Sequence, residues 1–257
     1  MAPASDRIIY LTQPLRVSMS DWYYDLAGLD HFWVRRRFDV MKQMVGHRIS
    51  QATVAGEIGC GNGVLQRLME DQYNIPVVGF ELNETCLKKN LSRISPIYCY
   101  DIHQRSEELR AHFDVLLLFD VLEHIEDESA FLDSIKYHLT DSGRLVVNVP
   151  AHQFLFSEYD RAAGHYRRYT IHSLTNAVER VGLKIHSLTY WGMPLVPLLF
   201  ARKVIVKLAR NEGGAYRVGF NSGKGLSNSA LGLLARCEWL PQKLVGTSLM
   251  AVVGKKT

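Results

Sequence analysis

Residues 57–63 read Glu57-Ile-Gly59-Cys60-Gly61-Asn62-Gly63. They follow a short apolar run, Thr53 to Ile58, and lead into an amphipathic stretch, Val64 to Asp71. A strand that runs through closely spaced glycines straight into a helix constrains the fold, because this is how a strand–helix–strand unit begins. Glycines there let the backbone turn tightly and let a ligand approach with no Cβ in the way. The bland alternative is a tight turn that binds nothing, and three alternating glycines directly after an acid argue against it. The loop is not the dinucleotide fingerprint G-x-G-x-x-G/A. Counted from Gly59 its last position is Val64, counted from Gly61 it is Gln66, and no P-loop lysine follows. The pieces that grip a pyrophosphate are missing. Glu57 would repel a phosphate and suits a ligand that carries positive charge.

The same alternation continues downstream. Strand signals fall at Pro76–Phe80, Pro96–Tyr100, Phe113–Phe119 and Arg144–Val149, with a helix pattern from Glu84 to Leu91 between the first two. Continuous apolar strands are buried on both faces, which indicates a parallel sheet covered by helices. The expected class is α/β, doubly wound. Thr170 is a good N-cap for a helix to about Val181, closed by Gly182. Strands follow near Leu183–Tyr190 and Ser248–Val253. Three parts are expected: an N-terminal helical cap over 1–50, a core over 51–190 plus 247–257, and an inserted helical, basic region over 191–246.

Length and composition agree with a globular chain: 257 residues, 47% hydrophobic and 22% charged. Four scattered cysteines make no disulfide framework and no CxxC pair, so a reducing, cytoplasmic setting is expected. The longest apolar stretch, Met193 to Ala201, has 9 residues and two prolines, far short of the roughly 20 that span a bilayer. The charge is uneven. Residues 1–191 hold 20 Lys/Arg and 24 Asp/Glu, whereas residues 192–257 hold 10 and 2.

Further acids stand where strands should end. Glu81 closes the second strand, where a carboxylate can accept both hydroxyls of a ribose. Asp101 follows the third, in reach of an adenine amino group, and Asp120 ends the fourth. Each alone is as readily a solvated turn residue. With Glu57 they form an ordered set, about 20 residues apart.

On these residues the chain resembles the class I S-adenosylmethionine-dependent methyltransferases, in particular a bacterial small-molecule and quinone-type group. Glu57–Gly63 is similar to the family's first motif, and Glu81, Asp101 and Phe113–His124 are similar to the next three in order. The resemblance covers roughly residues 50–190 and the terminal strand. It implies a Rossmann-like, mainly parallel seven-stranded sheet, its last strand antiparallel and inserted beside the sixth, with the helical insertion between strands six and seven. It implies S-adenosylmethionine as cofactor. Gly59 and Gly61, with Cys60 and Gly63 in the same loop, would pass under the methionine part. Glu81, with Leu82 beside it, would hold the ribose, and Asp101 and Ile102 the adenine. The backbone around Phe119 and Asp120 would line the sulfonium. The segment Asp30 to Arg37 resembles the His-x-Trp-x-x-x-Arg pattern of the same group, which implies a helix folding over the cofactor, with Arg37 on its carboxylate and Trp33 in the acceptor pocket. A helix that simply packs aromatics inward is the alternative.

Methyl transfer is an in-line displacement at a carbon already activated by a sulfonium, so alignment and exclusion of water do most of the work. A hydroxyl or ring-carbon acceptor also needs a base or a metal. Asp120-Val-Leu-Glu123-His124 follows the fourth strand and resembles an acid-x-x-Glu-His group of quinone O-methyltransferases, where a divalent metal is involved. Here the first acid is Asp. No metal is the primary expectation, with Asp120, Glu123 and His124 as the ligands if one is used. Otherwise Glu123 and His124 only start a helix. A second constellation follows the fifth strand: His152, Tyr159, Asp160, then Gly164-His165-Tyr166-Arg167-Arg168-Tyr169. A loop of this length in a compact domain is more often a functional lid than idle. The candidate catalytic residues are therefore His124, His165, His152 and Tyr159. The arginines pair an acid of the substrate, or merely tie the loop to Asp160 or Glu158.

The stretch 192–210 mixes apolar residues with Arg202, Lys203, Lys207 and Arg210. It is read first as a lid or substrate region, with contact to the inner face of an anionic membrane or a dimer contact as alternatives. No nucleic-acid partner is expected, because aromatics do not interleave with the basic residues. The resulting expectation is methyl transfer to a small or lipid-like acceptor, O-methylation first. N- and C-methylation remain open. A metal-assisted quinone or phenol O-methyltransferase is the sharper version, and a non-catalytic cofactor-binding or membrane-associated partner protein is the alternative.

Overall fold

The computed structural model describes residues 7–15, 28–208 and 226–256. Part of the expected N-terminal helical cap, including the aromatic and arginine-rich patch read over Trp22 to Arg37 as far as Ala27, and Ala209 and Arg210 of the basic stretch, lie outside the described residues. The elements run β1 (Ile8–Tyr10), α1 (Phe32–Ser50), β2 (Ala55–Ile58), α2 (Val64–Tyr73), β3 (Val77–Glu81), α3 (Glu84–Lys88) and β4 (Ile97–Cys99). They continue with β5 (Phe113–Phe119), α4 (Glu128–His138), β6 (Leu139–Pro150), α5 (Glu158–Ala162) and α6 (Ile171–Arg180). The last are β7 (Leu183–Trp191), α7 (Val196–Leu208), α8 (Leu226–Arg236) and β8 (Ser248–Lys255).

The strands form one sheet in the order β1-β4-β3-β2-β5-β6-β8-β7. All pairings are parallel except those of β8, which is antiparallel to both β6 and β7. The chain winds outward in both directions from the β2–β5 pair. The turn after β2 therefore opens at the topological switch point, the place where α/β sheets bind ligands.

Two expectations need correction. Among the described residues the sheet has eight strands, not seven, and those of 1–50 are not wholly helical. Ile8–Tyr10 is an added edge strand, with Ile8 opposite Ile97 and Tyr10 opposite Cys99. Its pairing is satisfied by a segment nearly ninety residues away in sequence, so local periodicity carries no trace of it.

β5 explains why the sheet is covered on both sides. Leu116 and Leu118 point into one apolar cluster with Phe131 and Ile135 of α4 and Leu174 of α6. Val115 and Leu117 point into the other, with α1 and α2. The period of two along a strand puts alternate residues on opposite faces. On α1, Val34, Phe38, Met41, Val45 and Ile49 are buried at spacings of three and four, one helical face laid on the sheet. The inserted region is tied to α1. Asn228 accepts the Phe32 N–H at 2.9 Å and donates to the Asp30 carbonyl at 2.9 Å. Arg36 pairs with buried Glu238 at 2.9 Å and Arg236 with Asp39 at 3.1 Å.

Candidate active site

The glycine turn is a device of the backbone. Gly59, Gly61 and Gly63 all have positive φ (70°, 53° and 74°), a region costly for residues with a Cβ. A Cβ on Gly59 would stand 2.5 Å from Val121 Cγ2, and one on Gly63 would meet the Asn90 amide at 2.5 Å. Gly63 is also the N-cap of α2. Gly59 and Cys60 N–H both donate to the Phe80 carbonyl, at 2.8 and 3.0 Å, which fixes the turn against β3. Burial pushes the Cys60 thiol well up, so it behaves as an apolar group and not as a nucleophile.

Two acids close this end of the sheet. Glu57 is buried, and its Oε2 has no hydrogen-bond partner. Burial raises its pKa to about 8. The Arg37 guanidinium pulls it down, and the neighbouring Glu81 adds to the rise. Glu81 accepts three backbone N–H groups: Gly61 at 2.9 Å, and Leu82 and Asn83 at 2.8 Å each. Its pKa is still raised by burial, against the pull of those three donors. Asp101 caps a short 3-10 turn by accepting the His103 N–H at 2.9 Å, with Ile102 buried behind it. An orphaned buried carboxylate oxygen and glycines with no space for a Cβ fit a cationic nucleoside held at this bend.

Asp120, at the end of β5, joins the two halves of the site. It has φ of +56°, unusual for a residue with a side chain. Its carboxylate ion-pairs with Arg37 and accepts Asn148 Nδ2 at 2.7 Å. Arg37 also lies over the Phe119 ring, 5.1 Å from its centroid. Asn148 in turn accepts the Trp191 indole N–H at 2.8 Å, and Trp33 packs on Trp191 with centroids 4.4 Å apart.

Beyond Asp120 lies a cavity of about 410 Å³. Its lining includes the polar Asp120, Glu123, His124, Tyr159, His165 and Arg202 and the apolar or aromatic Phe32, Trp33, Leu198, Leu199 and Leu231. Its polar wall is organised by Asp160, which is fully buried. Asp160 Oδ1 accepts Arg168 Nε at 2.8 Å and His165 Nδ1 at 3.1 Å, while Oδ2 accepts the Ser157 N–H at 2.8 Å and the Ser157 hydroxyl at 3.0 Å. Burial alone would raise its pKa. The bond from His165 and the Arg168 charge outweigh it and hold the value at about 2. An ionised carboxylate only accepts, so His165 carries its proton on Nδ1, and Nε2 is the acceptor end. His124 meets His165 edge to face, 4.6 Å between centroids. Burial and the nearby His165 lower its pKa to about 4. Glu123 is buried with an unpartnered Oε2, and burial, reinforced by Asp120, pushes its carboxyl well up.

The structure thus brings Trp33, Asp120, Glu123, His124, Tyr159 and His165 to one cavity. His152 is not among the residues that line it. His152 has φ of +61° and stacks on Tyr190 at 4.5 Å. Arg168 ties the loop to Asp160, and Arg167 turns away to Glu128 at 3.1 Å. Glu123, His124 and His165 each offer a ligand atom within 4.8 Å of the others. This donor set suits a divalent ion. It differs from the expected one, since His165 stands where Asp120 was expected and Asp120 faces Arg37 and Asn148. Sequence reasoning offered Asp160 as a partner of the loop arginines and missed that it also holds His165 and Ser157. Its signal was Ser157 three residues before it, the spacing of a capping box, which this pair forms.

Residues 57–188, just over half of the chain, match the family described as "Methyltransferase domain". A protein of Mycolicibacterium smegmatis described as "Probable S-adenosylmethionine-dependent methyltransferase" is 27% identical over 162 residues. That match spans 61% of this chain and 61% of the relative, less than two thirds of its length. Among solved structures, an Archaeoglobus fulgidus SAM-dependent methyltransferase superposes with a TM-score of 0.50 at 17% identity, covering 85% of this chain and 94% of that one. The Haemonchus contortus phosphoethanolamine N-methyltransferase 2 in complex with S-adenosyl-L-methionine gives a TM-score of 0.57 at 18% identity, covering 88% of this chain and 53% of that one. At such identities the likeness is one of fold. The sequence match runs through the glycine turn, the Asp120 corner and the histidine loop, and on it the chain belongs to the S-adenosylmethionine-dependent methyltransferase family.

Proposed function

We propose that this chain transfers the methyl group of S-adenosylmethionine to a hydroxyl of a small or lipid-like acceptor held in the cavity beside Asp120. The observation that carries the reading is the Asp160–His165 pair, since Asp160 holds His165 by Nδ1 and His165 lines that cavity together with the apolar side chains. When bound at the glycine turn, the cofactor supplies a methyl group on a positively charged sulfur. The chain's own residues then have three tasks. Gly59 to Gly63 and Glu81 seat the nucleoside by shape and backbone. Trp33, Leu198 and Leu199 exclude water from the acceptor. His165, held in one tautomer by Asp160, takes the hydroxyl proton on Nε2. His124, with its pKa near 4, is the weaker base and keeps a neutral ring against His165.

A divalent ion on Glu123, His124 and His165 would instead lower the pKa of the bound hydroxyl. A ring that ligates the ion does not serve as the base, so the two versions compete for His165. The deciding experiment supplies tritiated S-adenosylmethionine to the full chain together with an organic extract of cells, with and without a chelator. Label in an alkali-stable ether fraction supports the reading, and its loss on chelation selects the metal version. Binding of S-adenosylhomocysteine with no label in any fraction would favour a non-catalytic cofactor-binding protein. A second reading, attachment to an anionic membrane surface, is favoured by Phe200 and Ile205 of α7, about half exposed beside Lys203. Sedimentation with phosphatidylglycerol vesicles tests it.

A further inference from the structure

Arg202 sits on α7 with its guanidinium in the cavity wall, 4.7 Å over the Tyr159 ring centroid. Other arginines at this end of the molecule are each met by a carboxylate. Arg36 has Glu238 at 2.9 Å, Arg168 has Asp160 at 2.7 Å, and Arg37 has Asp120. Arg202 has neither an ion pair nor a hydrogen bond among the described residues. The carboxylate that acts on it through space is Asp160. That group is already filled by Arg168, His165 and Ser157. Burial pushes the Arg202 pKa down, as expected for a cation short of solvation.

A cation at the wall of a largely apolar cavity is costly unless something supplies the opposite charge. Guanidinium presents a planar fork of donors that matches carboxylate and phosphate oxygens. Among the other residues of the wall, Leu198, Leu199 and Leu231 offer apolar surface. We infer that the acceptor is an amphiphilic oxyanion, its carboxylate or phosphate held by Arg202 over the Tyr159 ring and its apolar body laid along Leu198, Leu199 and Leu231. This rests on the methyl-transfer reading and narrows it. Arg202 becomes the residue that selects the acceptor by charge, and a purely cationic amine is the ligand this wall rejects.

The test titrates the full chain by calorimetry with decanoate, decyl phosphate, decanol and decylammonium. At least one of the two anions is expected to bind about tenfold tighter than decanol, and decylammonium weakest of the four. The better anion identifies the headgroup. Arg202→Gln is expected to erase the preference and leave decanol binding unchanged, while Arg202→Lys keeps part of it, because the charge survives and the fork does not. The oxyanion site is overturned if wild type binds decanol as tightly as both anions, or if Arg202→Gln binds them as wild type does. A parallel titration with S-adenosylhomocysteine is expected to give one dissociation constant for wild type and Arg202→Gln, which also reports an intact fold. No heat in the wild type would overturn the acceptor role through the methyl-transfer reading, whatever the decyl series shows.

Discussion

The glycine turn and the histidine loop are built by opposite means. In the turn, backbone does the positioning: three positive φ values, two N–H groups on the Phe80 carbonyl, and three N–H groups on Glu81. In the loop, one buried carboxylate does it, since Asp160 holds His165, Arg168 and Ser157 together. A site made of backbone needs consecutive residues of fixed type. A site made of a side-chain network needs only that its members converge. The first suits a part that must accept one unvarying ligand, and the second leaves room for acceptors to differ.

The largest effect that sharpens this contrast is on turnover. His165→Ala is expected to lower methyl incorporation by about 10²–10⁴-fold, the range for loss of a general base, with S-adenosylmethionine affinity unchanged. His124→Ala should lose less, because a ring with its pKa near 4 is a poor base at neutral pH. If the two losses come in the reverse order, the base is misassigned. The readout is label transferred from tritiated cofactor at saturating concentration.

That asymmetry of construction also decides what could be read in advance. The turn was legible because Glu57 to Gly63 is contiguous. β5 was legible to the residue, Phe113–Phe119, because every position but Asp114 is apolar. The Thr170 cap was legible because its hydroxyl accepts the Ser173 N–H three residues on, a local bond. The start of β6 was not legible: Leu139 to Gly143 is mostly polar and half exposed, and it pairs β5 across an irregular register between Phe113 and Val115. Glu123, His165 and the stretch that holds Arg202 were legible as separate candidates for the acceptor side, but their meeting in one cavity was not. Those residues come from three loops and helices spread over some eighty positions.

The next effect belongs to the turn. Gly59→Ala must hold a Cβ at positive φ and 2.5 Å from Val121. Strain of about 1–3 kcal/mol is expected to weaken S-adenosylhomocysteine binding by about fivefold to a hundredfold, with turnover at saturating cofactor largely kept. Calorimetry and initial rates separate the two. A loss confined to turnover would erase the division of labour between the two halves.

A smaller effect is expected in stability. Asp160 titrates near 2 in the folded chain against an ordinary 3.8. Its contribution, about 2 kcal/mol, is therefore complete above pH 4 and disappears as pH falls toward 2. Urea unfolding of wild type between pH 5 and 2 should show this loss, and Asp160→Asn should show a flatter profile over the same window.

The smallest effect is the one that reads the turn's chemistry most directly. Glu57 has a folded pKa of about 8, raised from 4.5 by burial. At pH 7 it is therefore mostly protonated, with its Oε2 unpartnered. A cation seated at the bend stabilises the ionised form and lowers that pKa, so binding at pH 7 must expel a proton, up to one per site. Titrations with S-adenosylmethionine in phosphate and in Tris should differ in apparent enthalpy by the buffers' ionisation heats multiplied by that fraction. The difference should fade above pH 9, where Glu57 is already ionised, and vanish in Glu57→Gln. Identical heats in the two buffers at pH 7 would mean that the carboxyl does not sense the ligand. The turn would then be recognising shape alone, and its contrast with the charge network of the histidine loop would be complete.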